Sequence, residues 1–103
     1  MNIPITVLMS VYNSEHFLID SINSVLNQTF TKFEFIIIND GSTDSSLKII
    51  NQFALSDNRI KVINKSNSGT YDCLNIGIER AKGEWISIID SDDVYETNKL
   101  ESQ

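Results

Sequence analysis

A chain of 103 residues is one domain at most, long enough for a single sheet covered by helices. Eight basic against fourteen acidic residues leave a net charge of −6, which argues against a nucleic-acid backbone as the main partner. The lone Cys73 allows no intramolecular disulfide, no Cys/His cluster points to zinc, and the longest apolar run, 35–38, cannot span a membrane.

Met1 leads through Asn-Ile-Pro directly into a strand pattern, so no secretory leader is expected. A cytoplasmic location is expected, including the cytoplasmic face of a membrane. Residues 5–10 are apolar on both faces, as a central parallel strand should be. Ser14 is a candidate N-cap for a first helix, in which Leu18, Ile22, Val25 and Leu26 recur at helical spacing to about Gln28. Residues 33–38 form a second strand that ends at Asn39-Asp40-Gly41-Ser42. Ser42 or Thr43 can cap the second helix, whose inward stripe is Leu47, Ile50, Phe53 and Ala54.

Residues 60–63 make a shorter third strand, followed by a polar loop over 64–69. The third helix turns Leu74, Ile78 and Ala81 inward, and Gly83 ends it as a C′ residue. Residues 85–89 form a fourth strand, and 96–103 read as the start of another helix. The β-α-β-α-β-α-β rhythm predicts an α/β fold. It is a Rossmann-like, doubly wound, mostly parallel sheet with helices on both faces.

The fourth strand, read as buried in the sheet, stops at Asp90-Ser91-Asp92-Asp93. One acid there is explained by a turn or a helix cap, but three are explained poorly. Three crowded carboxylates favour a hard divalent cation with oxygen ligands, magnesium or manganese when a substrate adds phosphate oxygens. An acidic domain can bind a phosphorylated small molecule through such an ion.

In a parallel sheet the strand ends at Ser10 to Glu15, Asn39 to Ser42 and Asp90 to Asp93 share one edge, where open α/β sheets bind ligands. Tyr12 can stack on a nucleobase or plug the end of the core. Asp40 can accept from an imide N–H such as uracil N3–H, or make an Asx-turn before Gly41. There is no G-x-x-x-x-G-K-[ST] and no G-x-G-x-x-G after the first strand. Aspartyl-phosphate phosphatases need an acid where Ile38 stands, and receiver domains need acids where Ser10 and Val11 stand. His16, without partners, is read as a surface residue.

The stretches ITVLMSVYN (5–13), SVLNQTF (24–30), EFIIINDGSTD (34–44), NSG (67–69), NIGIERAKGEW (75–85) and IDSDD (89–93) are collinear. Together they resemble the nucleotide-binding half of family-2 glycosyltransferases, which have the GT-A fold. The resemblance implies that Tyr12 packs on the base with Val11 and Glu15 lining the same pocket, that Asp40 reads the uracil imide, and that Asn67 and Gly69 lie near the nucleotide. Asp90, Ser91, Asp92 and Asp93 match the D-x-D region. Asp90 and Ser91 are expected on the nucleotide, and Asp92 and Asp93 on the metal, Asp92 first.

The activity so implied is metal-assisted transfer from a nucleoside diphosphate sugar, a UDP-sugar, to a hydroxyl of a saccharide or lipid-linked acceptor, with inversion, as in polysaccharide biosynthesis. Residues 1–103 would be the donor-binding part of a truncated GT-A domain, with the general base and acceptor pocket beyond Gln103. Two departures stand out: Asn39 replaces a frequent Asp, and Cys73-Leu74-Asn75 replaces a common A-R-N whose Arg would face the nucleotide. The rival readings are a non-catalytic nucleotide-sugar-binding or regulatory module on the same fold, and a nucleotidyltransferase. The latter is disfavoured because no Gly- and Arg-rich loop follows the first strand.

Overall fold

Strands that are apolar on both faces suit the middle of a sheet between two helical layers. The computed structural model, which describes residues 3–102, places the two most apolar stretches there. In chain order the elements are β1 (Ile5–Val11), α1 (Leu18–Leu26), β2 (Phe33–Asp40), α2 (Ser46–Ser56), β3 (Ile60–Lys65), α3 (Thr70–Arg80) and β4 (Trp85–Asp90). The strands form one parallel sheet in the order β3-β2-β1-β4. All eight residues of β2 are buried, and in β1 only Ser10 is partly open.

Alternation along the two central strands feeds two cores. Ile5, Val7, Met9 and Val11 join Phe33, Phe35 and Ile37 against Leu18, Ile22 and Val25 of α1 and Ile50 of α2. Leu8, Ile36 and Ile38 meet Cys73 and Leu74 of α3 on the other face. Helices therefore cover both faces, as expected. Each fully buried Leu or Ile side chain there contributes about 1.5–3 kcal/mol.

The fourth strand differs from its reading as a buried one. β4 is an edge strand among the described residues, pairing only with β1, and just Ser87 and Ile89 are buried. Ile86, Ile88 and Trp85 remain open because α3 lies over β1 and β2 and leaves β4 uncovered. The inward face of α3 also differs. Cys73 and Gly77, four residues apart, are buried, whereas Ile78 is exposed. A Cβ on Gly77 would stand 2.2 Å from Leu8 Cδ1, so the missing side chain sets the close seating of the helix.

The helix ends are not built as expected. Neither Ser42 nor Thr43 caps α2, and Ser14 does not cap α1, whose N-cap position is Phe17. The carbonyl of Ser14 instead accepts from Phe17 and Leu18, closing the entry turn. Gly83 is not a left-handed stop, since α3 ends at Arg80 with Ala81 extended. Its role is close approach, because a Cβ would meet Thr6 N at 2.5 Å. In α2, Leu47 is only partly buried, and Ile49 packs with Ile50, Phe53 and Ala54. Residues 97–102 form turns rather than a helix, and Gln103 lies outside the described residues. No helix of the described residues is long and apolar enough to cross a membrane.

Candidate functional site

Parallel strands deliver their carboxyl ends to one rim: Val11, Asp40, Lys65 and Asp90 close β1 to β4 there. Ser10 pairs in register with Asp90 across the β1–β4 seam. Above that seam opens a cleft of about 180 Å³ walled by Ser10, Tyr12, Thr70, Leu74, Asp90 and Ser91, with Ile88 and Ile89 completing its apolar side. Tyr12 is 51% exposed and so does not plug the core, a place taken by the fully buried Val11. Its ring is free to stack on a planar ligand.

Asp40 is the organising carboxylate beside this cleft. Oδ1 accepts from Lys65 Nζ at 3.0 Å and from the Ser68 amide at 2.9 Å, and Oδ2 accepts from the Gly69 amide at 2.9 Å. Asn67 Nδ2 donates to the Asp40 carbonyl at 3.0 Å. Burial alone would raise the Asp40 pKa, but the Ser68 amide, the Lys65 ammonium and the Gly69 amide outweigh it and hold the carboxyl below its ordinary range. Lys65 is raised in return, chiefly by its bond to Asp40. The same ammonium donates to the Ser66 carbonyl and to Ser68 Oγ. One carboxylate thus folds the N-S-G loop against the sheet and seats the start of α3, where Thr70 meets the cleft.

Gly41 follows directly with φ of +73°, and a Cβ there would lie 2.6 Å from the Asn67 amide nitrogen. Only glycine fits that turn.

The loop after β1 is locked to the loop after β2. Asn13 takes φ of +48°, a left-handed conformation that Asn tolerates, and its Oδ1 accepts from the Thr43 amide at 2.7 Å. The Asn13 amide donates to Ser42 Oγ at 3.0 Å, and the Ser45 amide donates to Glu15 Oε2 at 3.0 Å. Asp44 accepts from the Ser46 and Glu15 amides. These bonds fix the backbone on either side of Tyr12.

The acidic turn after β4 is exposed. Carboxylate oxygens of Asp90, Asp92 and Asp93 lie within 4.8 Å of one another. The Asp93 amide donates to the Asp90 carbonyl at 3.0 Å, closing the turn. An all-oxygen, triply charged donor set of this kind suits a hard divalent cation. Among the described residues, no Lys or Arg lines the cleft. A diphosphate approaching the turn therefore meets uncompensated negative charge unless a cation comes with it.

The structure brings Tyr12, Asp90 and Ser91 to one cleft, with Asp92 and Asp93 on the adjoining turn. Asn67 and Gly69 surround Asp40 behind it. Two expected pocket residues stand elsewhere. Val11 points into the core shared with α1, because strand alternation sends it to the face opposite Ser10, and Glu15 is spent on the Ser45 amide. Sequence reasoning missed Thr70 as a cleft wall and Lys65 as the partner of Asp40, whereas Ser10 lies in the first strand-end loop it singled out and Leu74 at the position expected to face the nucleotide. Thr70 could have been found as the residue after N-S-G, and Lys65 as a cation at a strand end. Leu74, where the resemblance expects an Arg, gives the cleft an apolar wall.

The chain's relatives agree with this architecture. It is 45% identical over 105 residues to an uncharacterized glycosyltransferase of Haemophilus influenzae, covering all of this chain and 42% of that protein. It is 39% identical over 99 residues to glycosyltransferase GlyG of Streptococcus pneumoniae, covering 95% of this chain and 33% of that protein. The chain thus spans less than half the length of these curated relatives. Among solved structures, S. aureus TarS 1–349 in complex with UDP superposes with a TM-score of 0.88 at 31% identity, over 96% of this chain and 30% of that one. The mannosyltransferase PcManGT of Pyrobaculum calidifontis shares the fold, with a TM-score of 0.87 at 19% identity over 99% of this chain and 31% of that one. The sequence profile described as Glycosyl transferase family 2 matches residues 6–103, and the chain belongs to that family.

Proposed function

We propose that this chain is the donor-binding part of a glycosyltransferase that takes its sugar from a UDP-sugar. The observation that carries the reading is the convergence of an exposed Tyr12, the Thr70 end of α3 and the acidic turn on one cleft. The likeness to TarS, whose structures hold UDP and UDP-GlcNAc at 30–31% identity, supports a uridine nucleotide as donor.

In this reading Tyr12 stacks on the uracil and Asp90 and Ser91 face the ribose. The imide N–H takes the place of the long 3.4 Å bond that Asn67 Nδ2 makes to Asp40 Oδ2, the rest of that carboxylate being held by Lys65, Ser68 and Gly69. The oxygen donors of Asp92 and Asp93, with Asp90 beside them, fit magnesium or manganese. Bound there, a divalent cation supplies the positive charge that offsets charge growing on the departing diphosphate. The side chains of this chain bind and orient the donor. Deprotonation of the acceptor hydroxyl, in an inverting displacement, falls to a carboxylate other than the donor-binding residues named above. The acceptor is a saccharide or lipid-linked hydroxyl.

Isothermal calorimetry tests the reading. UDP binds more tightly with manganese than with a chelator, and Asp92→Ala removes that difference while uridine affinity stays. Equal UDP affinity in both conditions refutes the cation role. Asp40→Asn weakens UDP more than CDP, and unchanged discrimination takes base reading away from Asp40.

A further inference from the structure

The S-V-L-N-Q-T-F stretch has no part in the cleft, yet α1 carries polar residues on its buried face. Ser21 is 0% exposed and Gln28 is 3% exposed. Polar groups so deep are costly unless paired. Their partners lie about 70 residues away, in the acidic turn and the segment after it. Ser21 Oγ donates to the Ser91 carbonyl at 2.8 Å, and Ser14 Oγ and Ser91 Oγ are 2.6 Å apart. The Tyr95 amide donates to Ser24 Oγ at 2.9 Å. Gln28 Nε2 donates to the Glu96 carbonyl at 2.6 Å, and its Oε1 accepts from the Leu100 amide at 2.9 Å.

Positions 21, 24 and 28 are spaced i, i+3 and i+7, so they form one stripe along the helix and just past its end. The segment they hold has no helix or strand of its own. Beyond β4, strand pairing ends. One long-range backbone bond, Thr29 amide to Thr97 carbonyl at 2.8 Å, and the Tyr95 hydroxyl on the Ile88 carbonyl help hold the chain, and the stripe supplies the other bonds across to α1.

We propose that Ser21, Ser24 and Gln28 are positioning residues: the stripe is a template that fixes the Asp90–Asp93 turn and the segment following it, and so presets the spacing of the cation-binding carboxylates. The proposal rests on the reading of that turn as a cation site.

Amide hydrogen exchange and UDP calorimetry on the 103-residue chain test it, with Ser21→Ala and Gln28→Met set against Ile50→Val as a core control. Ser21→Ala speeds exchange at Asp93, and Gln28→Met at Leu100, by about 5- to 10-fold beyond any change in β1 and β2, the equivalent of one lost hydrogen bond. Ser21→Ala also cuts the manganese enhancement of UDP affinity several-fold, with UDP affinity in chelator unchanged. Ile50→Val lowers the melting temperature without either effect. Exchange that rises uniformly along the chain, or a manganese enhancement that survives Ser21→Ala or falls equally in Ile50→Val, overturns the proposal. The exchange arm needs no metal. Where manganese has no effect on the wild-type chain, the cation reading fails and the exchange result alone decides whether the stripe positions the turn.

Discussion

Asp40→Asn is the substitution that most sharply separates a structural carboxylate from a decorative one. The carboxylate uses one oxygen for Lys65 and Ser68 and the other for Gly69 and, at 3.4 Å, Asn67 Nδ2. An amide offers one oxygen and one NH₂ group, so in either orientation one set of donors faces a donor. The loss is a charge-assisted bond of about 1.5–3 kcal/mol, together with a buried amide left without an acceptor at about 1–3 kcal/mol. These terms overlap, and a net loss of about 3 kcal/mol follows.

In a domain of this size each kcal/mol shifts the melting temperature by about 4–8 °C, so circular dichroism at pH 7 should record a fall of roughly 12–24 °C. The pH dependence carries a sign. Asp40 lies below its ordinary value of 3.8, because amide and ammonium donors outweigh burial. Its contribution is complete above that ordinary value and is lost as pH falls through the lower folded-state pKa. Lys65 is raised, so its share is complete below its ordinary value of 10.5 and is lost as pH climbs through the higher one. The gap between wild type and Asp40→Asn is therefore full at neutral pH and closes in acid. A fall under about 4 °C, or a gap that stays constant as pH drops through the acid range, refutes the argument.

Tyr12→Ala should change stability by no more than about 0.5 kcal/mol, since the ring is half in solvent, while weakening UDP by about 1–3 kcal/mol through lost stacking. Calorimetry beside a melting curve checks both, and a large stability loss would mean the ring supports the core after all. Gly77→Ala gains up to about 1 kcal/mol of helix propensity but drives a methyl into the fully buried Leu8, at about 1–3 kcal/mol. The melting temperature should fall by roughly 4–8 °C, and a stabilised variant would show that α3 seats less closely on β1.

The parallel sheet was legible because the mostly apolar stretches at 5–10 and 33–38 show no polar face, and helical periodicity fills the gaps between strands. The edge position of β4 was not legible. Ile86 and Ile88 look like core residues, and only the placement of α3 over β1 and β2 shows that they stay exposed. Caps were misplaced because Ser and Asn side chains in the loops bond across to other loops, as Asn13 does to Thr43, instead of to their own helices. For the site, strand ends sharing a rim brought Tyr12 and Asp90 together from sequence alone. The inward turn of Val11 needed the register of β1 to be known, and the Asp40–Lys65 pair needed β3 to run on to Lys65.

The central claim is that one nucleotide occupies the cleft between Tyr12 and the acidic turn. Amide chemical-shift mapping of the ¹⁵N-labelled chain during a UDP titration tests it most directly. The largest shifts are expected at Tyr12, Thr70, Asp90 and Ser91, with the amides of α2 unmoved. Shifts confined to residues away from these four would contradict it.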